Sequence, residues 1–216
     1  LIDGGLRDNM PINLLIGKGF KKIIVVDIDG VGRLPAVADP SVYLKRISFT
    51  EDLGGVFEFS QELTIRNMKM GYYDTLKAFR RIYGYFYYFS KSYFHSLMQR
   101  FDLDTIHGIE TAAKLYKIPR YQLITDDSFL IDVARKHEEM TAQFQATKST
   151  SLLAALIHDF QKVTEMIDNG IIIAWVEEQL NSQARFQRSW LTDILSEYIS
   201  AARGMIELSE ALRTKR

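Results

Sequence analysis

The run IIVVDI, residues 23 to 28, constrains the fold of this chain more than any other stretch. It is continuous, rich in β-branched residues and bounded by Lys21, Lys22 and Asp29, the pattern of a strand buried on both faces. Such strands belong to parallel sheets with helices on each side, and they need neighbours. One further strand is legible, a stub at Leu1 and Ile2, so the sheet is incomplete as written. A lone apolar strand with two free edges invites association, and a second copy of the chain is one source of pairing.

Turn chemistry fills the segment before that run. Asn9 and Pro11 read as a helix cap and first helical residue, because proline lacks only an N–H that would be orphaned there. A short helix through Leu14, Leu15 and Ile16 follows, with Gly17 and Gly19 available to end it. From about Leu53 the texture becomes helical. Phe59, Leu63, Ile65, Met68 and Tyr72 recur at helical spacing, and Asp74 or Thr75 can cap a further helix carrying Leu76 and Phe79.

Residues 102 to 216 are helical in pattern throughout. Leu130, Val133, Ala134, His137 and Phe144 fall on one helix face. Leu152, Leu153, Leu156, Phe160, Val163 and Ile167 fall on another, with the Asp-Asn-Gly of 168–170 as its expected stop. Helices over 171–181 and 186–212 complete the region, the last through Trp190, Ile194, Leu195, Tyr198, Ile199 and Met205. The fold class is therefore mainly α with a small α/β remnant. The expected division is 1–98 for the α/β part and 99–216 for a helical module.

Composition removes several classes of function. Lys plus Arg equals Asp plus Glu at 27 each, which leaves no basic footprint for nucleic acid. The absence of Cys removes disulfides, thiolate metal sites and a Cys nucleophile. No apolar run approaches the roughly 18 uncharged residues a membrane span needs, and the first residues lack a signal-peptide pattern. The expected location is cytoplasmic or at a membrane surface. With no initiator Met, the chain reads as a piece of a longer protein.

The opening LIDGGLRDNMP carries the most specific motif. Asp3-Gly4-Gly5, then Asn9, Pro11, a short apolar helix and KKIIVVDI together resemble the second active-site block of the patatin-like phospholipases. The likeness is close over residues 1 to 28 and looser through NMKMGYYDTLKAF, residues 67 to 79. It implies that residues 1–98 are the C-terminal part of a three-layer α/β acyl hydrolase domain. It further implies a Ser–Asp dyad in which Asp3 is the general base, supported by Gly4, Gly5, Asn9 and Pro11. The substrate would be a lipid or other acyl ester, and no cofactor or metal is implied.

The chemistry is demanding, because a carboxylate of ordinary pKa about 3.9 is a weak base at neutral pH. It has to sit in direct hydrogen-bond contact with the serine, with its basicity raised by partial burial. An Asp at the end of an apolar strand stub, followed by two glycines, suits a carboxylate aimed at a neighbouring nucleophile. The matching nucleophile requires a Gly-x-Ser-x-Gly elbow, and no Ser of this chain has Gly two residues before it. The resemblance therefore places the serine, and the oxyanion donors, in sequence preceding Leu1.

Other readings compete. IIVVDIDGV resembles the first motif of haloacid-dehalogenase-like phosphatases, which would make Asp27 a nucleophile and Asp29 a general acid working with Mg²⁺. Such a fold needs further motif-bearing strands, and QLITDD at 122–127 is the one echo, opening a helix. As a calcium loop, Asp27, Asp29 and Gly32 fit, but the twelfth position is Ala38, which cannot ligate. The aromatic run YGYFYYFSKSYF, residues 83 to 94, reads as a packed helix, with a peripheral membrane contact as the alternative. His95, His107, His137 and His158 lack metal-ligand spacing. A non-catalytic docking or oligomerisation module remains the reading for the helical region.

Overall fold

The computed structural model describes residues 8–28, 36–49, 51–55, 57–58, 60–148, 167–182 and 195–214. Asp3, Gly4, Gly5, Asp29 and the strand stub at Leu1 and Ile2 lie outside them, as do His158, Trp190 and most of the 152–167 run. The chain divides into two units, Leu1–Ile82 and Tyr83–Arg216. The expected boundary lay at 98/99. The difference arises because residues 87–97 carry Tyr87, Phe89, Tyr93, Phe94 and Leu97, all buried in the core of the second unit.

In the first unit a short helix, α1 (Ile12–Gly17), precedes the strand β1 (Lys22–Asp27). Proline at 11 occupies the cap position itself and offers no side-chain bond. Asn9 lies two residues earlier, so neither residue takes its expected place. The cause is a tight turn in which the Ile12 N–H bonds Met10 O at 2.7 Å, delaying the helix by one residue. Gly17 ends α1 and Gly19 follows with φ +86°, as the glycine pattern predicts.

Strand β1 pairs in parallel with β2 (Tyr43–Ser48), Ile23 opposite Leu44 and Val26 opposite Ile47. The first neighbour of β1 thus comes from the same chain, where sequence suggested another copy. Strand β1 is not buried on both faces either. Ile23 and Val25 pack under α1 with Met10, Ile12 and Ile16, whereas Ile24, Val26 and Ile28 are 60%, 65% and 67% exposed. On that second face α2 (Gln61–Ala78) covers β2, where Ile47 is buried and the Lys45 ammonium bonds Ala78 O at 3.0 Å.

Helix α2 is continuous. Its cap is Ser60, whose Oγ accepts from Leu63 N. Asp74 is no cap but a buried residue within the helix, and Thr75 Oγ1 donates back to Gly71 O at 2.7 Å. A back-bonded Thr satisfies its hydroxyl inside the helix and leaves nothing for a new start.

The two-residue strand β3 (Ile82–Tyr83) marks the passage to the second unit. Next come β4 (Tyr88–Ser90), α3 (Lys91–Met98), α4 (Leu103–Leu115), β5 (Leu123–Ile124), α5 (Ser128–Thr147), α6 (Asn169–Asn181) and α7 (Ser196–Arg213). The aromatic run is therefore not one helix. Tyr and Phe favour a pleated strand, Tyr88 and Phe89 pair in parallel with Leu123 and Ile124, and Ser90 then caps α3 through its Oγ. Its aromatics are core: Tyr87, Tyr88 and Phe89 are fully buried.

Helices α4 and α7 cross at paired glycines. A Cβ on Gly204 would come within 2.5 Å of the Gly108 carbonyl carbon, and one on Gly108 within 2.4 Å of Ser200 O. Helix α5 buries Leu130, Val133, His137 and Phe144, as its periodicity predicts, together with Phe129 and Met140. The Asp168-Asn169-Gly170 sequence starts α6, while the run it was expected to stop lies mostly outside the described residues. Asp168 Oδ1 accepts the Gly170 N–H at 2.8 Å, satisfying a donor that the first turn leaves unbonded. Among the described residues no helix is long and apolar enough to cross a membrane.

Exposed carboxylates at the starts of α4 and α5 make the unit sensitive to acid. The Thr105 backbone N–H bonded to Asp102, and bonds from Ser128 to Asp126, hold both carboxyls below the usual 3.8. A depressed folded pKa contributes stability above the unfolded value and loses it as pH falls through the folded one. The melting temperature should therefore drop as pH is lowered below about 3.8, and less steeply in Asp102→Asn, which caps without titrating. Equal acid slopes for the two proteins would contradict this.

Candidate functional site

Parallel pairing puts the C-terminal ends of β1 and β2 side by side, the edge at which open α/β sheets bind ligands. A cleft of about 810 Å³ opens there, within the size range of small-molecule sites. Val26, Ile28, Ile47, Phe49 and Met70 give it apolar walls, and Asp27, Ser48, Asp52, Asn67 and Asp74 are its polar lining.

Its rim is built by α2. Arg66 Nη2 donates to Asp52 O at 2.5 Å and Asn67 Nδ2 to Leu53 O at 2.8 Å, which fastens the loop 52–55 to the helix. Gly54 sits in that loop at φ +91°, and a Cβ there would meet Leu63 Cδ2 at 2.6 Å. The positive φ disfavours any side chain at 54, and a Cβ there would also require Leu63 to shift.

Asp27 is held by the Arg46 guanidinium, with Nε donating to Oδ2 at 2.9 Å and Nη2 in close contact with the same oxygen. A nucleophilic carboxylate needs a free lone pair facing its electrophile, and a guanidinium clamp opposes that role. Asp29, the other residue of the phosphatase reading, lies outside the described residues. Among the described residues no three His, Asp or Glu side chains gather as metal ligands.

Of the expected site, Asn9 and Pro11 are described and lie before α1, while Asp3, Gly4 and Gly5 are outside the described residues. Sequence reasoning missed Arg46, Asp52 and Asn67. Gly71 falls in the run 67 to 79 that carries the looser resemblance, and an isolated Gly inside a helical pattern asks for a packing or functional reason.

The second unit has polar clusters of its own. His137 is buried, with Nδ1 2.8 Å from Tyr116 Oη and Nε2 3.0 Å from Glu177 Oε2. The carboxylate fixes the ring proton on Nε2, so Nδ1 accepts from the tyrosine. Burial, reinforced by Glu177 and Asp168, pushes the Tyr116 hydroxyl far above the usual phenol range and keeps it a donor. Every polar atom of the imidazole is satisfied, as befits a structural histidine. Tyr93 is raised likewise, by burial and then by its 2.9 Å bond to Asp127, which also takes Arg100 Nη1 at 2.6 Å.

Ser200 Oγ lies 3.5 Å from His107 Nδ1 in a separate cleft beside α4 and α7. Ser200 belongs to the regular helix α7, not to a strained strand-to-helix turn, so it does not take the place of the elbow serine. No protein-family model, curated protein or solved structure matches this chain.

Proposed function

We propose that the chain supplies the general-base half of a patatin-like serine acyl hydrolase, with Asp3 taking the proton of a serine carried upstream of Leu1 in the parent protein. The observation that carries this reading is the order Asp-Gly-Gly, Asn9, Pro11, short helix, apolar strand, which the resemblance requires over residues 1 to 28. Strand β1, preceded by α1 and paired in parallel with β2, is compatible with the α/β domain such an enzyme needs. An open cleft at the C-terminal strand ends gives the substrate a place on the appropriate edge.

In this reading the serine oxygen attacks the ester carbonyl as its proton passes to Asp3. That proton then goes to the departing alcohol, and water, deprotonated by the same carboxylate, releases the acid and regenerates the serine. Gly4 and Gly5 keep bulk away from Asp3 and permit positive φ. The substrate is a lipid or other acyl ester met at a membrane surface, and the chemistry calls for no cofactor.

The test has two parts. The reading frame preceding Leu1 should encode a Gly-x-Ser-x-Gly elbow, and a parent without one would sink the proposal. The 216-residue chain alone should hydrolyse p-nitrophenyl esters no faster than buffer. Turnover by it alone would show that the nucleophile is not missing.

A further inference from the structure

Helices α4 and α7 cross with their backbones in contact at Gly108 and Gly204. On one side of that crossing Lys114 reaches Glu197 at 2.8 Å. On the other, toward the start of α4, lies a cleft of about 760 Å³ that the acyl-hydrolase reading does not use. Its volume falls in the range of small-molecule sites. Leu180, Ile199 and Ile206 give it an apolar side, and its ionisable lining is Asp102, Asp104 and His107 from α4 with Arg203 and Glu207 from α7.

Two of these five are already engaged. Asp102 caps α4 by accepting the Thr105 N–H at 2.7 Å, and His107 has Ser200 at Nδ1 and the Tyr85 and Phe86 rings packed against it. Arg203 and Glu207 stand at i and i+4 on α7, a spacing of about 6 Å between Cβ atoms at which opposite charges ordinarily pair. Arg135 and Glu139 have the same order and spacing on α5 and bond at 3.2 Å. Among the described residues Arg203, Glu207 and Asp104 nevertheless form no ion pair, although all three line one cleft.

That cleft therefore presents one cation and two carboxylates, uncommitted, beside an apolar wall. A simple anion drawn by Arg203 would be opposed by Asp104 and Glu207, and a simple cation would face Arg203. A molecule carrying both signs a few ångströms apart satisfies both sets, through charge-assisted hydrogen bonds. We infer that the cleft between α4 and α7 binds an apolar α-amino acid. Its carboxylate lies on the Arg203 guanidinium, its ammonium on Glu207 and Asp104, and its side chain against Leu180, Ile199 and Ile206.

Isothermal titration calorimetry on the 216-residue chain tests this with L-leucine and three analogues. N-acetyl-L-leucine lacks the ammonium, L-leucinamide the carboxylate and glycine the apolar side chain. Leucine should bind saturably, and each analogue roughly tenfold more weakly or worse, the cost of losing one charge-assisted bond or the apolar contact. Arg203→Gln should weaken leucine by a similar factor while leaving leucinamide no weaker. Asp104→Asn combined with Glu207→Gln should weaken leucine while leaving N-acetyl-leucine no weaker. All three positions are exposed, so both variants should keep the melting temperature of the parent chain to within a few degrees. Absence of saturable leucine binding overturns the inference. So does any analogue binding as tightly as leucine, or undiminished leucine binding by either variant.

Discussion

Glu110→Ala should unfold the second unit more readily than any other single truncation of a polar side chain there. Glu110 is fully buried, and its Oε2 accepts the backbone N–H groups of Tyr85, Phe86 and Tyr87 at 2.8, 2.7 and 2.7 Å. Three successive donors converging on one oxygen make a nest of the kind that binds anions, here filled from within the protein. They fix the turn that delivers Tyr87 and Phe89 into the core.

Removing the carboxylate leaves the buried Tyr87 N–H without an acceptor, at about 1–3 kcal/mol, and strips the less buried Tyr85 and Phe86 donors at a smaller cost each. The sum, about 2–4 kcal/mol, is a large share of a typical domain stability of about 5–15 kcal/mol. Glu110→Gln can keep its oxygen on the three donors but loses the charge and turns an NH₂ toward Tyr85 N, which also donates to Oε1 at 3.0 Å, so an intermediate loss is expected. Urea unfolding followed by far-ultraviolet circular dichroism and by tryptophan fluorescence, to which the buried Trp175 contributes, reads the effect. A loss below about 1 kcal/mol for Glu110→Ala would mean that the turn finds other acceptors.

Nothing in the sequence announces that clamp. Glu110 sits in GIETAA, a helical stretch in which a Glu is ordinarily a solvated residue, and its partners are backbone groups more than twenty positions away. Legibility elsewhere followed whether the signal was local. The buried face of α5 was readable because Leu130, Val133, His137 and Phe144 share one helix stripe. Strand β2 was not, because YLKRIS carries two cations and buries Ile47 alone.

The identity of IIVVDI as a strand was plain, yet how much of it is covered was not, since coverage depends on where α1 and α2 lie. Asp168 illustrates a different limit. Asp-Asn-Gly carries both start and stop chemistry, and the sequence alone does not show that Asp168 caps the helix that follows it. At the candidate site the Asp-Gly-Gly motif was legible because it is contiguous. The cleft was hidden because its walls come from two strands, a loop and a helix spread over residues 26 to 74.

The most direct test of the central claim is ester hydrolysis by the intact parent protein and its Asp3→Asn variant, with and without EDTA. Asn preserves the shape of Asp but cannot accept a proton, so kcat should fall by roughly 10²–10⁴-fold, the usual contribution of a positioned general base. KM should change little, because the carboxylate acts on the serine and not on the bound ester. Chelation should have no effect. Full activity in Asp3→Asn would contradict the account, as would a hydrolase abolished by EDTA and by Asp27→Asn.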